Sequence, residues 1–168
     1  NGGSAIAIEC DVKNKDSIKT SIDLTISEFS GINFLVNNAQ EVPLGNLLQV
    51  SDDAFEAGWM SGPLATFHFM KQCHPFLKGG GKIINLASSS ALRADSEGYG
   101  AYAAVKEAIR ALSRTAAVEW GPDNILVNCI MPLAKSTGME WWMNERPEEA
   151  AEFVKTIPLG RVGDCKDD

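Results

Sequence analysis

The chain has no apolar run approaching the ~20 residues that a bilayer crossing needs, and its first residues show no signal-peptide pattern. It has no surplus of positive charge. Its 15 Lys and Arg stand against 22 Asp and Glu, a formal net charge of −7, which argues against a nucleic-acid or anionic-membrane partner. The cysteines Cys10, Cys73, Cys129 and Cys165 lack metal-ligand or redox spacing. Cys10 and Cys129 fall within or at the end of expected strands, where a buried thiol is the simplest reading. His68 and His74 have no partner at metal spacing, so no metal site is expected. Internal repeats, low-complexity segments and interdomain linkers are also missing. What is present is an ordinary globular composition, 45% hydrophobic and 22% charged over 168 residues. That is enough for one domain over residues 1–168 with a sizeable core, in a reducing cytoplasm.

Strand and helix signals alternate along the chain. Residues 5–10 are a short apolar, β-branched run read as a strand ending at Asp11. Ile18, Ile22, Ile26 and Phe29 recur at helical spacing over residues 14–29, and Gly31 ends that helix. Residues 32–36 are the next strand, followed by the polar loop Asn37-Asn38-Ala39-Gln40. A long helix is expected over residues 51–77, kinked at Gly62-Pro63 because proline removes a donor and crowds the preceding turn. Strands are expected at 82–87 and 125–130, with a helix over 99–120 that Gly121-Pro122 stops. Continuous apolar strands alternating with helices indicate α/β architecture, a parallel sheet covered by helices on both faces. Asp11, Asn37-Asn38, Ser88 and the segment after Pro132 all follow carboxyl ends of strands, the edge where open doubly wound sheets bind ligands.

The chemistry-bearing stretch is residues 88–106. Serines open it, and Tyr102 and Lys106 lie four apart on one helical face. A free tyrosine titrates near pH ~10, so service as a base near neutrality needs a shift of ~2–3 units, or ~3–4 kcal/mol. An ammonium ~5 Å away at an effective dielectric of ~20 supplies about 3 kcal/mol of that. With a serine hydroxyl to hold the reacting oxygen, these residues suit proton transfer at a carbonyl or carbinol oxygen.

From about Ala5 to Arg161 the sequence resembles the short-chain dehydrogenase/reductase family. The matching pieces are Asp11-Val12; Asn37-Asn38-Ala39-Gln40; Gly81-Lys82-Ile83-Ile84-Asn85 running to Ser88; Tyr102 with Lys106; and Val127-Asn128 before Pro132, with Thr137 five residues beyond. The resemblance implies a Rossmann-type doubly wound sheet in a three-layer αβα domain with NAD or NADP as cofactor. It also implies a short-chain alcohol dehydrogenase or carbonyl reductase acting on a small-molecule carbonyl/alcohol substrate, as a homo-oligomer. By resemblance Tyr102 is the general acid/base, Ser88 orients the substrate oxygen, and Lys106 binds ribose and lowers the tyrosine pKa. Asp11 and Val12 contact adenine, while Asn38, Ala39, Pro132 and Thr137 complete the cofactor contacts. Counting along the strand from Gly81 gives Ser88; counting back from Tyr102 gives Ser89. The strand count is preferred, because extra length is absorbed more easily in the loop over 95–100 than in a paired strand.

Three positions depart from the family pattern. Gly62 stands where an asparagine helps hold a relay water, Gln40 replaces a glycine beside the cofactor, and Leu133 replaces the glycine after Pro132. The glycine-rich pyrophosphate turn is not among these residues, so the expectation is a Rossmann domain truncated at both ends, with the strand over 32–36 at an exposed edge. Trp141-Trp142 suits either a lid over a bulky apolar substrate or an apolar face packed on the domain or a subunit. Two rival functions stay open: a lyase or epimerase using the same tyrosine and lysine, and a non-catalytic dinucleotide-binding or scaffold protein.

Overall fold

The first helix starts where the sequence supplies a cap. The Asn14 side-chain oxygen accepts from the amides of Asp16 (2.9 Å) and Ser17 (3.1 Å), and α1 runs Lys15–Phe29 with Ile18 and Ile22 buried. The structure, a computed structural model, describes residues 2–94 and 98–166. Residues 95–97, in the loop assigned the extra length before Tyr102, lie outside the described residues. The chain divides into two compact units, Asn1–Met131 and Pro132–Asp168.

In the first unit, strands β1 (Phe34–Asn37), β2 (Lys82–Leu86) and β3 (Leu126–Ile130) form a parallel sheet in the order β1-β2-β3, with β1 at an edge as expected. Leu35, Ile83 and Val127 share one register row, and Asn37, Asn85 and Cys129 share another two residues on. Both rows therefore face the same side. That side packs against α1 together with α3 (Ala65–Leu77) and α4 (Gly100–Trp120), around a core of Ile18, Ile22, Met70, Leu77, Ile83 and Val127. The opposite face leaves Phe34, Val36, Leu126 and Ile130 exposed. This is the parallel, Rossmann-type α/β arrangement that the sequence indicates, with the first unit's described helices on one face.

Two local expectations change. Residues 5–10 belong to no strand and are mostly exposed, because β1 hydrogen-bonds only to β2 and no described strand lies beside that run. A strand is made by its neighbour's ladder, which apolar composition cannot supply. The long helix over 51–77 is not simply kinked at Gly62-Pro63. It is α2 (Asp52–Trp59), then a π turn over Met60–Leu64, then α3. Widening to i→i+5 bonding absorbs the proline, and the Ala65 amide reaches back to the Met60 carbonyl.

The second unit carries α5 (Thr137–Glu145), capped by the Ser136 hydroxyl, and α6 (Pro147–Lys155). Trp142 meets Phe153 edge-on at 5.6 Å between ring centroids, which closes the pair. A single parallel bridge joins Ala134 to Gly163. No helix among the described residues is long and apolar enough to cross a membrane.

Candidate active site

Ser88 is placed by the end of β2. The Ala87 amide still donates across to Ile130 (2.9 Å), so Ser88 is the next residue beyond that ladder bond. Its extended backbone caps a short 3-10 turn, Ser89–Leu92, with the hydroxyl accepting from the Ser90 amide at 3.2 Å. Tyr102 comes from the first turn of α4, with the Ser88 hydroxyl close enough to its phenol to favour the phenolate. Ser89 is exposed within the 3-10 turn, and Ser88 is the serine whose hydroxyl acts on the tyrosine.

Lys106 sits one turn further along α4 and is only 5% exposed. Its ammonium donates to the Leu86 carbonyl at 2.6 Å and lies 5.6 Å from the centroid of the Tyr102 ring. An ammonium has three donors, so the Leu86 bond leaves capacity for a ligand hydroxyl. The i, i+4 spacing stacks the two side chains as the sequence implies, over the carboxyl end of β2.

The electrostatics correct one expectation. The Tyr102 phenol is not lowered. Burial raises it above its ordinary value of 10.0, and the Ser88 hydroxyl, which favours the phenolate, only partly opposes that. Burial also depresses Lys106, from 10.5 to about 8, with the nearby Cys129 opposing. A lysine titrating near 8 is mostly charged at neutrality, yet its support for a phenolate fades just above it.

The expected cofactor residues of the first unit line one edge. Val12, Asn38 and Ala39 border a cleft at the carboxyl end of β1, with Ser61, Thr66 and Phe69 on its helical wall. The Asp11 carboxylate does not face into this cleft as a free group. Its Oδ1 accepts from the Lys13 amide at 3.0 Å in a local turn, while its own amide donates to the Ser17 hydroxyl at 3.0 Å. Lys13 then pairs with Glu41 at 2.5 Å, linking this turn to the loop that carries Asn38 and Ala39.

The family model described as Enoyl-(Acyl carrier protein) reductase matches residues 1–167. A 12alpha-hydroxysteroid dehydrogenase from Clostridium sp. is 42% identical over 154 residues, covering 90% of this chain and 59% of the relative. A short-chain dehydrogenase/reductase from Serratia marcescens superposes with a TM-score of 0.87 at 26% identity, covering 97% of this chain and 65% of that one. The chain belongs to the short-chain dehydrogenase/reductase family. An NAD+-bound xylitol dehydrogenase also shares the fold, with a TM-score of 0.82, 26% identity and coverage of 92% and 66%. Nicotinamide cofactors, NAD or NADP, go with this family. The chain spans about 60% of the length of the curated relatives it matches first.

Sequence reasoning missed a polar row beneath the candidate site. Asn37 Nδ2 donates to Asn85 Oδ1 (2.8 Å), Asn85 Nδ2 donates to the Ser113 hydroxyl (2.7 Å), and the Cys129 thiol donates to the same hydroxyl (3.0 Å). Ser113 in turn donates to the Ile109 carbonyl (2.7 Å). The signal was available: an asparagine inside Ile83-Ile84-Asn85-Leu86 is a buried polar group that needs partners. Asn37 and exposed Asn38 both line the cleft, with the Asn37 amide also bonded within the sheet. Pro132 and Thr137 fall in the second unit, where both are exposed and Thr137 is the first residue of α5. Leu133 accepts the Gly163 amide on its carbonyl at 2.9 Å.

Proposed function

We propose that the full-length protein is an NAD(P)-dependent oxidoreductase acting on a carbonyl/alcohol pair. The observation that carries this reading is the meeting of the Ser88 hydroxyl and the Tyr102 phenol beside a buried Lys106, over one strand end. The residues present suit a nicotinamide nucleotide: Val12, Asn38 and Ala39 border an open cleft, and Lys106 has donors to spare. When bound, the nicotinamide supplies or accepts the hydride. Tyr102 gives a proton to, or takes one from, the substrate oxygen, and Ser88 holds that oxygen within reach. Lys106 binds ribose hydroxyls, and its charge offsets part of the burial penalty on the phenolate. Pro132 and Thr137 belong to the proposed cofactor contacts, and Asp11 contributes through its turn rather than through a free carboxylate.

The hydroxysteroid dehydrogenase likeness favours a secondary alcohol or ketone on a rigid apolar ring system as substrate. The protein is proposed to be a cytoplasmic homo-oligomer with no nucleic-acid or membrane partner. The test is turnover of full-length protein, followed by nicotinamide absorbance, against hydroxysteroids, polyols and sugar acids with both cofactors. Turnover of a hydroxysteroid is the expected result. One observation favours a second reading, a non-catalytic dinucleotide-binding protein: the phenol is held above its ordinary pKa. Tight NADH or NADPH binding without turnover across the panel would select that reading.

A further inference from the structure

We propose that Gln40 and Gly62 are a matched pair that clasps the loop carrying Asn38 and Ala39 to the π turn, which makes Gln40 a positioning residue for the cofactor edge. The inference rests on reading that edge as the nicotinamide nucleotide's.

The π turn lacks one donor. In the π turn the Ala65 amide bonds to Met60, five residues back. By the same pattern the residue at 63 would bond to the Gly58 carbonyl, but Pro63 has no N–H. The Gln40 Nε2 takes that place, donating to Gly58 O at 2.9 Å, while its other hydrogen reaches Glu41 O at 3.0 Å. Both partners are carbonyl oxygens, so the carboxamide has one chemically sensible orientation; flipping it would set oxygen against two oxygens. A second clasp lies alongside. The Ser61 hydroxyl accepts from the Glu41 amide at 2.9 Å and donates to Ala57 O at 2.7 Å.

Gly62 is what makes room. A Cβ built there would lie 2.5 Å from Gln40 Oε1, 2.6 Å from Nε2 and 2.8 Å from Cδ, separations that real side chains do not tolerate. Any side chain at 62 therefore excludes Gln40 from this position, and the two departures from the family pattern amount to one exchange. Oε1 is buried without a partner, so the contact is explained by what Nε2 does rather than by a bond to the oxygen. The clasp fixes residues 40 and 41 against the helix, and the adjoining Asn38 and Ala39 line the cleft with Val12.

The test is a double-mutant cycle in the full-length protein: Gln40→Gly, Gly62→Asn, and the two together. NADH and NADPH dissociation constants, hydrogen exchange of the 38–41 amides and turnover are read for each. Either single change is expected to weaken cofactor binding about tenfold and speed loop exchange, with the double returning both to within about threefold of the parent. Losses that simply add in the double, or a silent Gly62→Asn, would overturn the proposal. Should the cycle variants fail to fold, Gln40→Glu keeps the shape but sets an acceptor against two carbonyls. It is expected to speed exchange and weaken binding, and unchanged exchange would overturn the proposal. Loop exchange is read without cofactor, so the clasp can stand even if the parent binds neither nucleotide, an outcome that would instead sink the oxidoreductase reading.

Discussion

The two faces of one three-stranded sheet differ sharply in fate. On one face the rows Leu35–Ile83–Val127 and Asn37–Asn85–Cys129 lie under helices, with Ile83 and Asn85 both 0% exposed. On the other, Phe34 is 61% exposed, Val36 57%, Leu126 53% and Ile130 45%. The open face nevertheless has the composition of a buried one, as expected of a parallel sheet whose strands are apolar throughout. Lys82 partly shields Phe34, its ammonium lying 4.8 Å from the ring centroid. Apolar composition thus reports where a surface belongs, while burial reports what covers it. The covered face does two jobs, because α4 both completes the core and delivers Tyr102 and Lys106.

The largest effect is expected at the covered face. Ile83→Ala is expected to cost about 2–5 kcal/mol, from lost transfer free energy and the cavity left behind, seen as a lowered denaturation midpoint. A cost below that of open-face changes would erase the distinction between the faces.

Lys106 comes next, because its burial opposes its charge. Its folded-state value of about 8 lies below its ordinary 10.5, so between those values the unfolded chain holds the proton more tightly. Stability from this group therefore rises with pH across that window. Tyr102 works in the opposite sense only above its ordinary 10.0, but Cys73, which burial pushes from 9.0 to about 11, does so above 9.0, which leaves pH 8 to 9 as the clean interval. A gain on the order of 1 kcal/mol is expected there, measured by thermal melting against pH. Lys106→Met should abolish the rise and stabilise the protein at neutral pH.

Asn85→Ala should cost about 1–3 kcal/mol, since it strands the Asn37 amide and removes one donor to Ser113. The smallest effect belongs to the open face. Val36→Thr is expected to change the stability of this chain by no more than about 0.5 kcal/mol. In the full-length protein, a cost of about 1–3 kcal/mol for the same change would show that the face is covered there.

Much of this was legible in the sequence. The α4 periodicity set the Tyr102–Lys106 spacing, and counting along a paired strand pointed to Ser88, whose hydroxyl lies near the Tyr102 phenol while Ser89 is exposed. Three things were not legible, each because it depends on something distant. The run over 5–10 reads as a strand from its residues alone, but pairing needs a neighbour. Gly62-Pro63 announces a disturbed helix, whereas the filling of its missing donor by Gln40 is a contact across 18 residues. The direction of the Tyr102 shift follows from desolvation, which no spacing rule reports.

The most direct test of the central claim is Tyr102→Phe in the full-length protein, with turnover and NADH or NADPH affinity measured on one preparation. The account predicts a turnover loss of about 10²–10⁴-fold with cofactor binding nearly unchanged, because only the proton donor is removed. Turnover that survives the substitution would contradict it.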